Sequence, residues 1–528
     1  MTYQSTILLM TSKSWQWMNA APAIGLYRLK TCLNRAGMIC DILDFDIDDE
    51  TDYEQKVATG FYDVIGMSLT HVNLEEDLNT LFKFRQLAAS SGKKVSFVAG
   101  GQEATLNYKN MLSTDMLDVI FLGFAEDSLV DFMLKIAQGT YSNTASIAQE
   151  LDGVAFQDHN GACCYRPAKQ LTVERFRDLS YKNVISSHIP YQRYWSKVRE
   201  NLVPGASHAK FIVETARLYT SSHCPKKCGF CSSQAFLPSS QKSHPPILML
   251  SAEEVFSLIK HDIQAYGAKG FLLSDDDFPI GTKQGISRVI TFCECVINAK
   301  KCGEIPPDTQ FFCQARITDF LMNHQVRLDL IAAMSKAGFD NVGLGVETFS
   351  ERLLHVPSIN KVGISANDCR NVLDALLENK ITPIMYIILG IPESSPAELL
   401  ESIQQAVEYI RKGADVRVNQ RMNVYPGSPA ERKGAFDIVK KSWRCPQGHN
   451  QIDIEEYFVP MDQTVARVID SVTEKGKSEL NVIKVDRGWS KDYIPKCGIG
   501  LAYFIAVAKL LDRQDLGDAF TKVFDEIS

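Results

Sequence analysis

The segment Ser222-His223-Cys224-Pro225-Lys226-Lys227-Cys228-Gly229-Phe230-Cys231 sets three thiols within eight residues, directly behind a strand-like run from Ala216 to Ser221. A loop this short can wrap an inorganic cluster and present three sulfurs to three irons. A fourth iron then stays open, as coordination positions do where a metal must admit a ligand. The same residues also allow a structural zinc site completed by His223 or a distant cysteine, or three core cysteines with no shared role. Zinc favours two ligand pairs on separated knuckles, and Cys293 with Cys295 is not spaced that way.

Around this loop the sequence alternates. Strand-like runs lie at Ala216 to Ser221, Gly270 to Leu273, Gln310 to Arg316, Asn341 to Val346, Thr382 to Leu389 and Asp415 to Met422. Helical spacing separates them, as at Ala252 to Ala265, Leu328 to Ala337 and Pro396 to Arg411. Six strand-then-helix repeats predict a partial (β/α)6 barrel over 206–435, with its working residues at the C-terminal ends of the strands. Ahead of it, Ile7 to Met10, Ile39 to Phe45, Val64 to Leu69, Val95 to Ala99 and Val119 to Gly123 read as strands. Between them Ile24 to Arg35, Leu74 to Ala89 and Ser128 to Ala137 read as helices, predicting a doubly wound, Rossmann-like α/β domain over 1–140. Residues 141–205 break the rhythm and read as a linker, with Asp158-His159-Asn160-Gly161 as a hairpin turn. Residues 436–528, with helices expected at Met461 to Glu474 and Ile499 to Leu511, read as a small, mainly helical domain over the barrel mouth.

Composition narrows the function. The chain has 528 residues, 45% hydrophobic and 23% charged, enough to build several packed cores. A formal net charge of −7 without a long basic run argues against nucleic acid as a partner. No apolar run is long enough to span a membrane and no secretory leader is visible, so a cytoplasmic protein is expected. There the fourteen cysteines stay reduced.

Cys224-xxx-Cys228-xx-Cys231, with Phe230 before the last cysteine, resembles the signature of the radical S-adenosylmethionine family. The resemblance implies a 4Fe-4S cluster on Cys224, Cys228 and Cys231, whose open iron chelates S-adenosylmethionine and whose electron releases a 5'-deoxyadenosyl radical. Later strand ends are similar to that family's motifs in the expected order. Ser274-Asp275-Asp276-Asp277-Phe278 resembles the acidic turn that meets the methionine ammonium, which implies a contact at Asp276. Phe312-Cys313-Gln314-Ala315-Arg316 resembles the third-strand motif, with Gln314 and Arg316 toward the cofactor. Gly343-Leu344-Gly345-Val346-Glu347-Thr348 resembles the fourth, with Glu347 beside the cofactor. Gly390-Ile391-Pro392-Glu393 resembles the turn where backbone meets adenine, through Gly390 and Pro392. Tyr425-Pro426-Gly427-Ser428-Pro429 resembles the sixth-strand exit. Each has a plainer reading: a helix cap for the aspartates, a structural role for Arg316, a barrel salt bridge for Glu347.

An α/β domain ahead of such a barrel resembles the cobalamin-dependent subclass. The resemblance implies cobalamin contacts at Ser68, Leu69 and Thr70, at Gly100, Gly101 and Gln102, and at Gly123 and Glu126. Phe124-Ala125-Glu126 departs from the subclass's Gly-Glu-Gly-Glu. No Asp-x-His-x-x-Gly occurs in the first 140 residues. His71 can approach the ring, or serve as a surface or capping histidine. The plainer reading of the whole domain is a doubly wound fold that binds another ligand or has lost cobalamin.

The implied activity is methyl transfer from methylcobalamin to an unactivated position of a small biosynthetic intermediate, with an electron donor such as flavodoxin or ferredoxin as partner. The alternatives are rearrangement, cyclisation or oxidation on the same barrel, or a non-catalytic Fe-S or zinc protein.

Overall fold

The computed structural model describes residues 4–13, 21–139, 143–201, 213–241, 243–446, 450–490 and 493–527. The boundaries expected at 140/141 and 205/206 fall outside the described residues, as does Pro204. The first domain is built on strands β1 (Thr6–Met10), β2 (Ile39–Leu43), β3 (Val64–Ser68), β4 (Ser96–Gly100) and β5 (Val119–Phe121). They pair in parallel in the order β2-β1-β3-β4-β5. The order reverses between β1 and β3, and in open α/β sheets ligands bind at the carboxyl edge of such a reversal. Two further strands, β6 (Val154–Gln157) and β7 (Cys163–Arg166), continue this sheet antiparallel beside β5. The hairpin read as part of a linker therefore completes the first sheet.

The second sheet contains β8 (Thr215–Leu218), β9 (Gly270–Leu273), β10 (Gln310–Ala315), β13 (Phe339–Glu347), β14 (Thr382–Ile388) and β15 (Asp415–Asn419). All six are parallel and lie in chain order, as a partial barrel requires. The short pair β11 (Leu321–Met322) and β12 (Gln325–Val326) decorates the loop after β10. Along β10, Phe311, Cys313 and Ala315 are buried while Gln310, Phe312, Gln314 and Arg316 are half-exposed. This period of two puts one set under the outer helices and the other on the concave face. Phe271, Phe278, Phe292, Phe311 and Phe339 form an edge-to-face and stacked aromatic core beneath the outer helices.

Helix starts are written in the sequence. Ser251 with Glu254, Ser365 with Asp368 and Ser395 with Glu398 each form a reciprocal capping box at the start of an outer helix.

The tail departs from an all-helical domain. Strands β16 (Ile438–Arg444) and β17 (Gln451–Phe458) form an antiparallel hairpin before helices Gln463–Asp486, Gly498–Leu510 and Gln514–Ile527. Gln451-Ile452-Asp453-Ile454 alternates with strand period, and Ile452 and Ile454 are buried. The helices do not simply roof the mouth. Gly498–Leu510 lies along the edge strand β15, where a Cβ added at Gly500 would come within 2.6 Å of Val416. The start of Gln463–Asp486 reaches the mouth, through Ile469 beside Gly390.

Candidate active site

The cysteine loop leaves β8 and is fastened at its base. Asp275, at the exit of β9, is fully buried and accepts four hydrogen bonds, from Thr220 N (2.8 Å), Thr220 Oγ1 (2.5 Å), Ser221 N (2.6 Å) and Ser221 Oγ (2.7 Å). This aspartate ties two neighbouring strand exits together and is buried by them. The far side of the loop is held by backbone. Gly229 N donates to Ile359 O (3.0 Å), and Ala430 N donates to Gly229 O (2.9 Å). A Cβ at Gly229 would overlap the carbonyl oxygens of Pro357 and Ser358, so only glycine fits there. Phe230 packs against a small apolar cluster that includes Leu353, Val356 and Ile391.

The donor set fits an iron-sulfur cluster. Burial pushes the thiols of Cys224 and Cys231 above their ordinary range, and nearby aspartate charge adds to it. Such sulfurs become thiolates when cationic iron compensates them. Amides are already aimed at two of them: Lys226 N–H donates to Cys224, and Ser233 N lies 3.4 Å from Cys231 Sγ. Among the described residues, no three His, Cys, Asp or Glu side chains converge on one metal ion. His223, the candidate fourth zinc ligand, bonds through Nδ1 to Ser222 Oγ at 2.9 Å.

In the acidic turn the three aspartates divide. Asp276 alone is exposed to the space before the loop, its charge is felt by both Cys224 and Cys231, and it bonds to Ser233. Asp277 is buried against Asp319; burial first, then the Asp319 carboxylate, raises its pKa well above the usual carboxylate range. Lys226 Nζ stands 3.8 Å from Asp319 Oδ1.

Arg316 sits within electrostatic reach of Asp277 and Lys361, and its Nε has no hydrogen-bond partner. Gln314 faces the concave side of β10, and its carbonyl oxygen accepts from Phe278 N at 2.9 Å. Glu347 is engaged in the salt bridge that was its competing reading. It lies 3.1 Å from Lys361 Nζ, which also donates to Gly345 O at 2.9 Å. Both side chains are almost wholly buried, and Lys361 feels the charge of Cys228. Lys361 comes from the loop that pins Gly229, and no motif marks it out. Gly390 lies close to Gln420 O and Arg421. The carbonyl of Pro392 turns away to accept from Met461 N at 2.8 Å.

Facing this mouth are the strand ends of the first sheet. Leu69 N donates to Gly100 O (2.9 Å), which joins the β3 and β4 loops. Gly101 has φ +94, and a Cβ there would lie 2.9 Å from Leu69 O and 3.2 Å from Ser68 Oγ. Small residues and bare backbone line this edge, as a large ring approaching closely requires. Thr70 N and Ser12 Oγ both donate to Asp77 Oδ2, which holds the β3 loop down. Gln102 reaches across the interface: its Nε2 donates to Ser232 Oγ at 2.9 Å, one residue from Cys231.

Two expected contacts are used elsewhere. Gly123 packs against Ser240 of the barrel, where an added Cβ would lie 2.6 Å from Oγ. Glu126 is buried in an ion pair with Arg28, whose guanidinium lies over Phe124. With Phe124 and Ala125 between Gly123 and Glu126, this turn builds an internal ion pair. His71 is neither a surface nor a capping group. Its Nδ1 lies 3.0 Å from the buried Glu103 Oε2, and its ring is 5.4 Å from that of Tyr425.

Known proteins share both halves. The family model described as B12 binding domain matches residues 19–133, and that of the radical SAM superfamily matches residues 218–406. The solved structure of the cobalamin-dependent S-adenosylmethionine radical enzyme OxsB, with aqua-cobalamin and S-adenosylmethionine bound, superposes with a TM-score of 0.70 at 14% identity, over 99% of this chain and 75% of that chain. The radical S-adenosylmethionine methyltransferase TsrM from Kitasatospora setae, with tryptophan substrate and an S-adenosylmethionine analogue bound, gives 0.62 at 14% identity, over 87% of this chain and 86% of that chain. At this identity the likeness shows the fold. No curated protein matches the chain. No described helix is long and apolar enough to cross a membrane.

Proposed function

We propose, from the premise that this chain belongs to the cobalamin-dependent radical S-adenosylmethionine enzymes, that it is a methyltransferase acting on a small biosynthetic intermediate. The observation that carries this reading is the Gln102–Ser232 hydrogen bond. It sets the glycine loop of the B12 domain against the residue next to Cys231, so both cofactor edges open onto one space.

When bound, the 4Fe-4S cluster with S-adenosylmethionine supplies a 5'-deoxyadenosyl radical, and cobalamin supplies a methyl group. The rest is positioning by this chain. Cys224, Cys228 and Cys231 are the ligands to three irons. Asp276 is the acceptor for the methionine ammonium, because it is exposed while Asp275, tied to Thr220 and Ser221, and Asp277 are buried. Arg316 and Gln314 meet the carboxylate side. Glu347 serves through its ion pair, which holds Lys361 and the Gly345 backbone against the Cys228 side of the loop. Ser68, Leu69, Thr70, Gly100, Gly101 and Gln102 form the edge for cobalamin. The substrate enters the concave face between Tyr219 and Arg417, both partly open, with Tyr386 packed over Gly343 as its floor. An electron donor such as flavodoxin or ferredoxin completes the system.

Anaerobic reconstitution tests the reading. The expected protein holds four irons and one corrinoid per chain, and with methyl-labelled S-adenosylmethionine it passes label to a candidate metabolite. Cluster and deoxyadenosine without label transfer would favour rearrangement, cyclisation or oxidation on the same barrel. One zinc and no cleavage of S-adenosylmethionine would overturn both.

A further inference from the structure

We propose that the C-terminal hairpin β16–β17 is the outer wall of the corrinoid site, and that the cavity beneath it receives the amide-bearing rim of the corrinoid. The inference rests on the cobalamin reading above. It adds a part of the chain that neither family match covers.

The cavity measures about 410 Å³. One side is made by His71 and Glu103, which directly follow Thr70 and Gln102 on the two loops that face the barrel. Asn107 and Asn110, on the short helices after β4, extend that side, and the opposite side is β17 from Gln451 to Glu455. A volume of this size is too small for a whole corrinoid and suits one edge of it. The rim of a corrinoid carries primary amides, each donating two N–H groups and accepting at its carbonyl. Asparagine and glutamine side chains match both functions, carboxylates take the N–H groups, and a lysine or histidine meets the carbonyls. On the first-domain side Asn110 and Ser113 offer such groups at exposed positions; on the hairpin side Glu455 pairs with Lys440 (2.9 Å), and Gln451 and Asp453 bond Ser442 across the strands.

The hairpin is built to hold its place. At its base, Val424 N donates to Glu456 O (3.0 Å) and Phe458 N donates to Met422 O (3.0 Å), so it grows from the exit of β15. At its far end, Trp443 Nε1 donates to Asn79 Oδ1 (2.9 Å), Lys441 pairs with Glu75, and Asn450 bonds Asp115. Trp443, Cys445, Ile452 and Ile454 are buried in the same apolar cluster as Leu78, Met111 and Met116 of the first domain. A wall anchored to both domains fixes the gap between them, and Tyr425 at its foot packs on the His71 ring.

The test is corrinoid retention. Asn110 and Ser113 are exposed cavity-lining positions, so Asn110→Trp and Ser113→Trp fill the space without disturbing a core. Protein reconstituted with hydroxocobalamin is titrated for corrinoid affinity, and its iron content and melting temperature are recorded alongside. The expected result is at least a ten-fold weaker corrinoid affinity in both variants, with four irons and an unchanged melting temperature. Trp443→Phe, which removes the bond to Asn79 and part of the buried ring, speeds corrinoid release. Wild-type affinity in either tryptophan variant that keeps its melting temperature overturns the inference and leaves the cobalamin reading standing. A wild-type protein that assembles its cluster but takes up no corrinoid overturns both.

Discussion

Gly229→Ala is the smallest change expected to abolish the cluster site. An added methyl would stand 2.5 Å from the carbonyl carbon of Ser358, and nearer still to the carbonyl oxygens of Pro357 and Ser358. Carbon atoms pack at about 3.5–4.0 Å, so the loop or its neighbour must move by about 1 Å. Both obstacles are backbone, so no rotamer change relieves the overlap. Overpacking of this kind costs about 1–3 kcal/mol. Moving the loop also strains the bonds from Gly229 N to Ile359 O and from Ala430 N to Gly229 O. Losing one adds about 1 kcal/mol. The ligating conformation is then disfavoured by about 2–4 kcal/mol, about 30- to 700-fold in population. Iron and sulfide per chain, measured after anaerobic reconstitution and desalting, report the loss directly. Gly25→Ala is the control, because nothing lies within 4 Å of the Cβ it would add. A Gly229→Ala protein that holds four irons with the parent's stability would refute the reasoning.

Three other changes probe separate parts of the site. Asp276→Asn keeps its shape and loses its charge; a charge-assisted bond of about 1.5–3 kcal/mol predicts about 10- to 150-fold weaker S-adenosylmethionine binding with iron unchanged. Equal affinities in equilibrium binding would remove Asp276 from the cofactor. Lys361→Met strands the buried Glu347 carboxylate, and about 3–5 kcal/mol of stability should go with it. Denaturant titration should show most of that loss recovered in Lys361→Met/Glu347→Gln; no recovery would mean that the two do not act as a pair. Burial raises the Asp77 carboxyl to about 7, against hydrogen bonds from Ser12 and Thr70 that lower it. The folded chain therefore keeps a proton that the unfolded chain gives up near its ordinary pKa of about 4. Stability from this group is whole below that pKa and falls as pH rises toward about 7. Asp77→Asn removes the slope, so it should gain on the parent between about pH 5 and about pH 8 in urea titrations; parallel curves would contradict this.

How far the sequence could be read depended on where each piece of information sits. The alternation that predicted both parallel sheets is local, and all six barrel strands begin within two residues of their expected starts. The three cysteines are local too, because the ligands and their spacing share one loop. Asp275, Asp276 and Asp277 show where this stops. They are the same residue type in a row, and only the tertiary structure divides them into a staple, an exposed acceptor and a buried carboxyl facing Asp319. Glu347 is similar: its motif pointed to the barrel mouth, but its partner Lys361 comes from a different loop, and no periodicity links the two.

The first domain and the tail sharpen the point. Gly123 and Glu126 were assigned through a motif that this chain had already altered at Phe124. There Arg28 closes over the Phe124 ring and takes the Glu126 carboxylate. The hairpin β16–β17 is legible as strands, from Ile452 and Ile454 alternating with polar neighbours, but the stronger signals of this tail are the helices that follow it. Its role could not be read from either strand alone. Trp443 finds Asn79 across 364 residues, and Asn450 finds Asp115 across 335. Contacts at that separation leave no spacing in the sequence, and they join the domain that would hold the methyl donor to the barrel that would hold the radical initiator. If methyl transfer needs both cofactors and the substrate at fixed distances, the segment least like a motif carries part of the reaction's geometry. Loosening it should then cost transfer before it costs either cofactor's own chemistry.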